Sequence, residues 1–204
     1  MPSRNTIRFD ADNSYYHVYS RGINKQIVYP DTANKDYFLY LLSRHLSATK
    51  VSSESGYSYT HLRGKIELLT YCLMDNHFHF LFYQRDAGAL AKLMKSVMVS
   101  YTAYYNKQYD HIGPVFNGRY RASKIYDDKY LLHVSRYIHL NPRSWKRFPH
   151  SSFRHIIKST EPEWLQTNRL LELHPSRAAY GEFVNDYEDY KRTLDTIKRD
   201  MKNM

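Results

Sequence analysis

Between Asp75 and Tyr83 the chain alternates with a period of two, placing Phe78, Phe80 and Phe82 on one side and His77, His79, Leu81 and Tyr83 on the other. As a strand, this segment gives its phenylalanines to a core and turns two imidazoles toward whatever covers the opposite face. Residues 14–22 are rich in aromatic and β-branched types and end in glycine, which predicts an earlier strand. A helix over residues 31–50 follows, with Asp31 as cap and Phe38, Leu41, Leu42 and Leu46 on one stripe. The segment VSSESG reads as a loop, and residues 57–74 supply one or two strands. Leu90, Leu93, Met94, Val97, Met98 and Tyr101 recur at three-and-four spacing, predicting a long helix over residues 86–110. Strand character returns around Val115 and over residues 123–126. A last helix starts at the acidic cap candidates Asp127 and Asp128 and cannot pass Pro142. The order strand, helix, strand, strand, helix, strand, helix predicts an α+β sandwich with helices against a largely antiparallel sheet.

Beyond residue 148 the periodicity weakens into short amphipathic stretches. Trp164, Leu165, Leu170 and Leu171 are too apolar for a solvated arm, so this part is expected to pack on the core. From about residue 185 the chain is highly charged and is expected to be an exposed helix or partly mobile. With 204 residues, 42% of them hydrophobic, one domain plus a tail is the natural division.

Charge narrows the range of partners. Thirty Lys and Arg against twenty Asp and Glu give a net charge of +10, which favours a polyanion, and twenty-one tyrosines offer stacking surfaces for bases. The single cysteine, Cys72, allows no intramolecular disulfide, and neither a signal core nor an apolar run long enough to span a membrane is present. A cytoplasmic nucleic-acid-binding protein is expected.

On a strand, His77 and His79 have Cβ atoms about 6–7 Å apart and can converge on one divalent ion. Two ligands do not make a site, and two histidines packed beneath a helix fit the pattern equally. Tyr137 and Asn141, four apart, share a helical face beside the apolar Leu131, Val134 and Ile138, which brings a phenol and an amide carbonyl within reach of one point.

Taken together, MDNHFHFLF and, further on, GRYRASKI and YLLHVSRYIHLNPR resemble the REP-associated tyrosine transposases, a branch of the single-tyrosine HUH transposases of bacteria. YYHVYSRGINKQIVYPD, GPVFNGRYRA and the tail from FPHSSFRHII to AAYGEFV extend the resemblance from about residue 15 to residue 184. It implies a ferredoxin-like core whose central strands carry the HUH motif, with a catalytic domain over residues 1–147 and a helical extension over 148–204. It also implies a nucleophilic Tyr137, with Mg2+ or Mn2+ held by His77, His79 and Asn141. Asp75 stands where the family usually has proline and would add negative charge near the ion.

The implied substrate is single-stranded DNA with imperfect hairpins, the REP-like palindromes, cut through a 5′-phosphotyrosine link that a free hydroxyl later reverses. Arg119, Tyr120, Arg121 and Lys124, with Arg21 and Arg143, combine phosphate-neutralising and stacking groups for that DNA. Lys25, Lys146 and Arg147 are further candidates. Tyr101, Tyr104 and Tyr105 are rival nucleophiles whose apolar stripe favours core packing, and His133 and His139 are expected to be structural. The resemblance leaves homodimer and monomer both open, the tail covering the active site in the monomer. Two other functions fit the same residues: a non-catalytic DNA-binding regulator on this fold, and a metal hydrolase using the two histidines to activate water.

Overall fold

The computed structural model describes residues 10–53, 56, 58–186 and 197. Four strands, β1 (Ser14–Arg21), β2 (Ile66–Met74), β3 (His77–Gln84) and β4 (Arg121–Ile125), form an antiparallel sheet in the order β2-β3-β1-β4. Helix α1 (Thr32–Leu46) joins β1 to β2 and α2 (Ala89–Gln108) joins β3 to β4, which is the ferredoxin-like connection that the resemblance implies. Both helices bury their stripes on one sheet face. There Phe38, Leu41 and Leu42 of α1 and Leu90, Leu93, Val97 and Tyr101 of α2 enclose Phe78, Phe80, Phe82, Tyr16 and Val18.

Helix α3 (Asp128–His139) covers the other face. Asp127 caps it by accepting from the Tyr130 amide at 2.7 Å, and Leu131, Val134 and Ile138 pack on Cys72, Leu81 and Tyr83. The helix stops at His139, so Asn141 lies beyond it and not on its face. Proline at 142 disfavours helical geometry in the residue before it.

The strand expected around Val115 is a single bridge, Gly22 to Phe116, in a segment where Gly113 and Gly118 take φ of 102° and 72°. Of the two strands allowed for before the histidines, the described residues 58–74 form one, β2, preceded by a bridge between Ser52 and Ser58.

β2 stands at the edge of the sheet, yet eight of its nine residues are buried. The C-terminal extension covers it. Leu73 donates to His150 O at 2.9 Å, Ser152 to Tyr71 O at 3.0 Å and Gln166 to Leu68 O at 2.8 Å, which satisfies backbone groups that an open edge would leave exposed. Helices α4 (Phe153–Lys158), α5 (Asn168–Leu171) and α6 (Arg177–Asn185) then enclose Phe153, Ile156, Leu170, Tyr180 and Val184 against the outer side of α3. Arg136 is buried there with its guanidinium 3.7 Å from the centre of the Phe183 ring. Most of the charged stretch expected after residue 185 lies outside the described residues; of it, Ile197 is described, helical and buried in the cluster that also holds Leu69 and Ile138.

Candidate active site

Cross-strand register carries the histidines to one place. His79 on β3 lies opposite Tyr19 on β1, and Tyr19 lies opposite Arg121 on β4. His77 pairs in the same way with Arg21. Residues directly opposite share a face, so His77, His79, His17, Tyr19, Arg21 and Arg121 all lie on the α3 side, away from the phenylalanine core. Tyr137 descends from α3 with its ring 5.2 Å from that of His79 and 5.9 Å from that of His17. The result is a cleft of about 400 Å³ lined by Tyr19, Ser20, Arg21, His77, His79, Asn117, Arg119, Arg121, Tyr137 and Asn141.

His77 sits between two amide oxygens, with Asn76 Oδ1 2.6 Å from its Nδ1 and Asn141 Oδ1 3.0 Å from its Nε2. Burial lowers its basicity, against the raising effect of Asn141. A neutral imidazole has one N–H, so one of its nitrogens meets an oxygen with a lone pair. Two acceptors facing each other repel unless a cation joins them. His79 is held well below the ordinary histidine range by burial and by His17 and His77 beside it, and so presents a neutral ring. Among the described residues no group of three or more His, Cys, Asp or Glu side chains is arranged to hold a metal. The Asn141 amide oxygen could serve as a third donor beside the two imidazoles, a set that would fit manganese somewhat better than magnesium.

The structure brings Tyr137, His77, His79 and Asn141 together, with Arg21, Arg119 and Arg121 at their rim. It separates the remaining DNA-binding candidates. Lys124 alternates onto the opposite sheet face, its Nζ 5.4 Å from the Tyr126 ring, and Tyr120 lines a separate groove beside α2 with Met94 and Met98. Arg143 is exposed beyond Asn141 and does not line the cleft. Asp75 pairs with Lys35 at 2.6 Å and does not line the cleft, though its negative charge still acts to raise the basicity of His77. Tyr101 is fully buried on the other sheet face, donating to Val28 O, so it is no rival nucleophile. His139 packs on Phe153 and Tyr180 and His133 beside Phe183, both toward the extension. The described part of that extension contributes nothing to the cleft lining, so the expected covering of the site is not made by residues 148–186.

Reading the sequence missed His17, whose Nε2 lies 3.0 Å from His79 Nδ1. The signal was present in SYYHVYSR, where the period that buries Tyr16 and Val18 turns Tyr15, His17 and Tyr19 to the cleft side.

Residues 50–141 match the family model described as transposase, IS200-like. That segment, a little under half of the chain, is similar to the IS200-like transposases. It contains His77, His79, Tyr137 and Asn141, and the likeness supports a DNA-processing function. The structure of a REP-associated tyrosine transposase bound to a REP hairpin is similar over 78% of this chain and 88% of that one, with a TM-score of 0.50 at 13% identity, a likeness of fold. A tRNA(His) guanylyltransferase from Saccharomyces cerevisiae aligns over 88% of this chain and 79% of its own at 12% identity, with a TM-score of 0.38 that is too low to bear on function. No curated protein matches the chain. No helix among the described residues is long and apolar enough to cross a membrane.

Proposed function

We propose that this protein is an IS200-like transposase that cuts and rejoins single-stranded DNA bearing imperfect hairpins of the REP type, through a covalent 5′-phosphotyrosine on Tyr137. The carrying observation is the convergence of one phenol, two neutral imidazoles and one amide oxygen in a cleft rimmed by three guanidiniums.

His77, His79 and Asn141 would hold Mg2+ or Mn2+. A divalent ion there supplies a Lewis acid that withdraws charge from a non-bridging oxygen of the scissile phosphate. Arg21, Arg119 and Arg121 neutralise the neighbouring phosphates and set the direction of the strand across the cleft. Tyr137 Oη attacks phosphorus, its proton passing to solvent. The phosphorus–O3′ bond breaks in line, and the departing 3′ oxygen takes up a proton as the hydroxyl. Because the phosphoester energy is kept in the tyrosine link, attack by another 3′-hydroxyl restores the phenol and joins the new strand. Tyr137 is held edge-on against the imidazoles and is 8% exposed, so its phenol is fixed for attack while its edge stays open to the cleft.

Incubating the protein with a labelled hairpin oligonucleotide and Mn2+ tests this reading. Cleavage of the single-stranded flank, lost with EDTA and absent on a fully paired duplex, is expected. Cleavage that survives EDTA, or that is equal on duplex, contradicts it.

A further inference from the structure

The segment GINKQIVY between β1 and α1 has no role in the chemistry above, yet it is tied closely to the turn that precedes His77. Gly22 donates its amide to Asn76 O at 2.9 Å, and Val28 and Tyr29 both donate to Asp75 O, at 2.8 and 2.9 Å. Asn24 and Lys25 take φ of 49° and 63°, the left-handed region that side chains other than glycine seldom occupy, and Lys25 N returns to Gly22 O at 3.0 Å. A Cβ on Gly22 would meet Gln26 O at 2.3 Å, so the turn admits only glycine there. This strained turn aims the Lys25 carbonyl at Asn76, whose Nδ2 donates to it at 3.1 Å.

That contact fixes which end of the Asn76 amide faces His77. With Nδ2 committed to the Lys25 carbonyl, Oδ1 faces His77 Nδ1 at 2.6 Å and requires a hydrogen there. A neutral imidazole carries one hydrogen only. Placing it on Nδ1 leaves the lone pair on Nε2, which faces Asn141 Oδ1 across the cleft. Without that constraint the hydrogen would sit on Nε2 and bond to Asn141, blocking the position a metal needs.

We infer that Asn76 is a positioning residue, which together with the Lys25 carbonyl sets the tautomer of His77 so that its Nε2 lone pair is presented to the metal. The inference rests on the reading of His77 as a ligand, but the tautomer itself belongs to the metal-free protein. Outer partners of this kind are worth about 10- to 100-fold in metal affinity. The main-chain bond from Gly22 to Asn76 survives any change of the Asn76 side chain, so the turn is expected to hold in the variants.

Long-range proton–nitrogen correlation spectra of the imidazoles test it without metal or DNA, the His77 signals being assigned by their loss in His77→Gln. The wild type should show the Nδ1–H form at pH 7.5. Asn76→Ala should shift His77 toward the Nε2–H form and weaken Mn2+ binding, measured by EPR, about 10- to 100-fold. Asn76→Asp, whose carboxylate still accepts from Nδ1–H, should restore most of both. An Nε2–H form in the wild type, an unchanged tautomer in Asn76→Ala, or equal Mn2+ affinity in the two proteins overturns the inference. A wild type that shows the expected tautomer and binds Mn2+ but does not cut DNA leaves this inference standing and removes the proposed function instead.

Discussion

His17 Nε2 stands 3.0 Å from His79 Nδ1, with both rings buried and nearly parallel. Engaging His79 at Nδ1 leaves its Nε2 for the cleft and fixes the ring plane, the usual work of a partner behind a ligand. Replacing His17 by alanine should lower Mn2+ affinity about 10- to 100-fold and move the Mn2+ dependence of cleavage by the same factor, with activity recovering at high Mn2+. An unchanged Mn2+ titration would show that His17 only fills space.

The alternation of β3 separates function from stability. Phe80→Ala removes a fully buried ring from the main core and should cost about 3–5 kcal/mol in chemical denaturation. His77→Ala, at the cleft, should cost no more than about 1 kcal/mol while removing metal-dependent cleavage. Equal losses of stability would place His77 in the core after all.

The extension is an edge cover and a second small core. Ending the chain after Arg147 removes the backbone partners of Tyr71 and Leu73 and exposes the side of α3 that meets Tyr180 and Val184. Burial of each large apolar side chain is worth about 1.5–3 kcal/mol, so the truncated protein should lose several kcal/mol and aggregate through β2. A truncated protein that melts with the full chain and stays monodisperse would contradict this account of the extension.

Buried neutral histidines make stability depend on acid. Burial lowers His17 and His139 to about 3 in the folded protein, while the unfolded chain takes up protons at the ordinary value near 6.5. Unfolding therefore binds protons below pH 6.5, and stability, level above it, falls as pH drops, by about 1.4 kcal/mol per unit for each group. Melting temperatures measured from pH 7.5 to pH 5 should decline below about 6.5, and a flat profile would mean that these rings are not buried as neutral species.

Much of this was legible in the sequence because it depends on local period. Phe78, Phe80 and Phe82 against His77 and His79 follow from alternation alone, and the helix caps at Asp31 and Asp127 follow from side chains that accept from the next turn. Lys124 was misplaced for want of a boundary. Once β4 begins at Arg121, the same alternation sends Arg121 to the cleft and Lys124 to the opposite face. Val115 looked strand-like because of its type, but Gly113 and Gly118 on either side break the ladder down to a single bridge. The partners of the two histidines were beyond such reading for a different reason. His17 and His79 are sixty-two residues apart and Asn76 and Lys25 fifty-one, and only register across the sheet and a folded-back turn bring each pair into contact.

The most direct test of the central claim is to trap the covalent intermediate. The protein is incubated with Mn2+ and a hairpin oligonucleotide labelled 3′ of the expected cut, denatured, digested, and the DNA-bearing peptide is sequenced by mass spectrometry. The account predicts one adduct, a 5′-phosphate joined to Tyr137, absent in Tyr137→Phe although that variant still shifts the hairpin in a gel. An adduct on any other tyrosine, or cleavage by Tyr137→Phe at the wild-type rate, would contradict it.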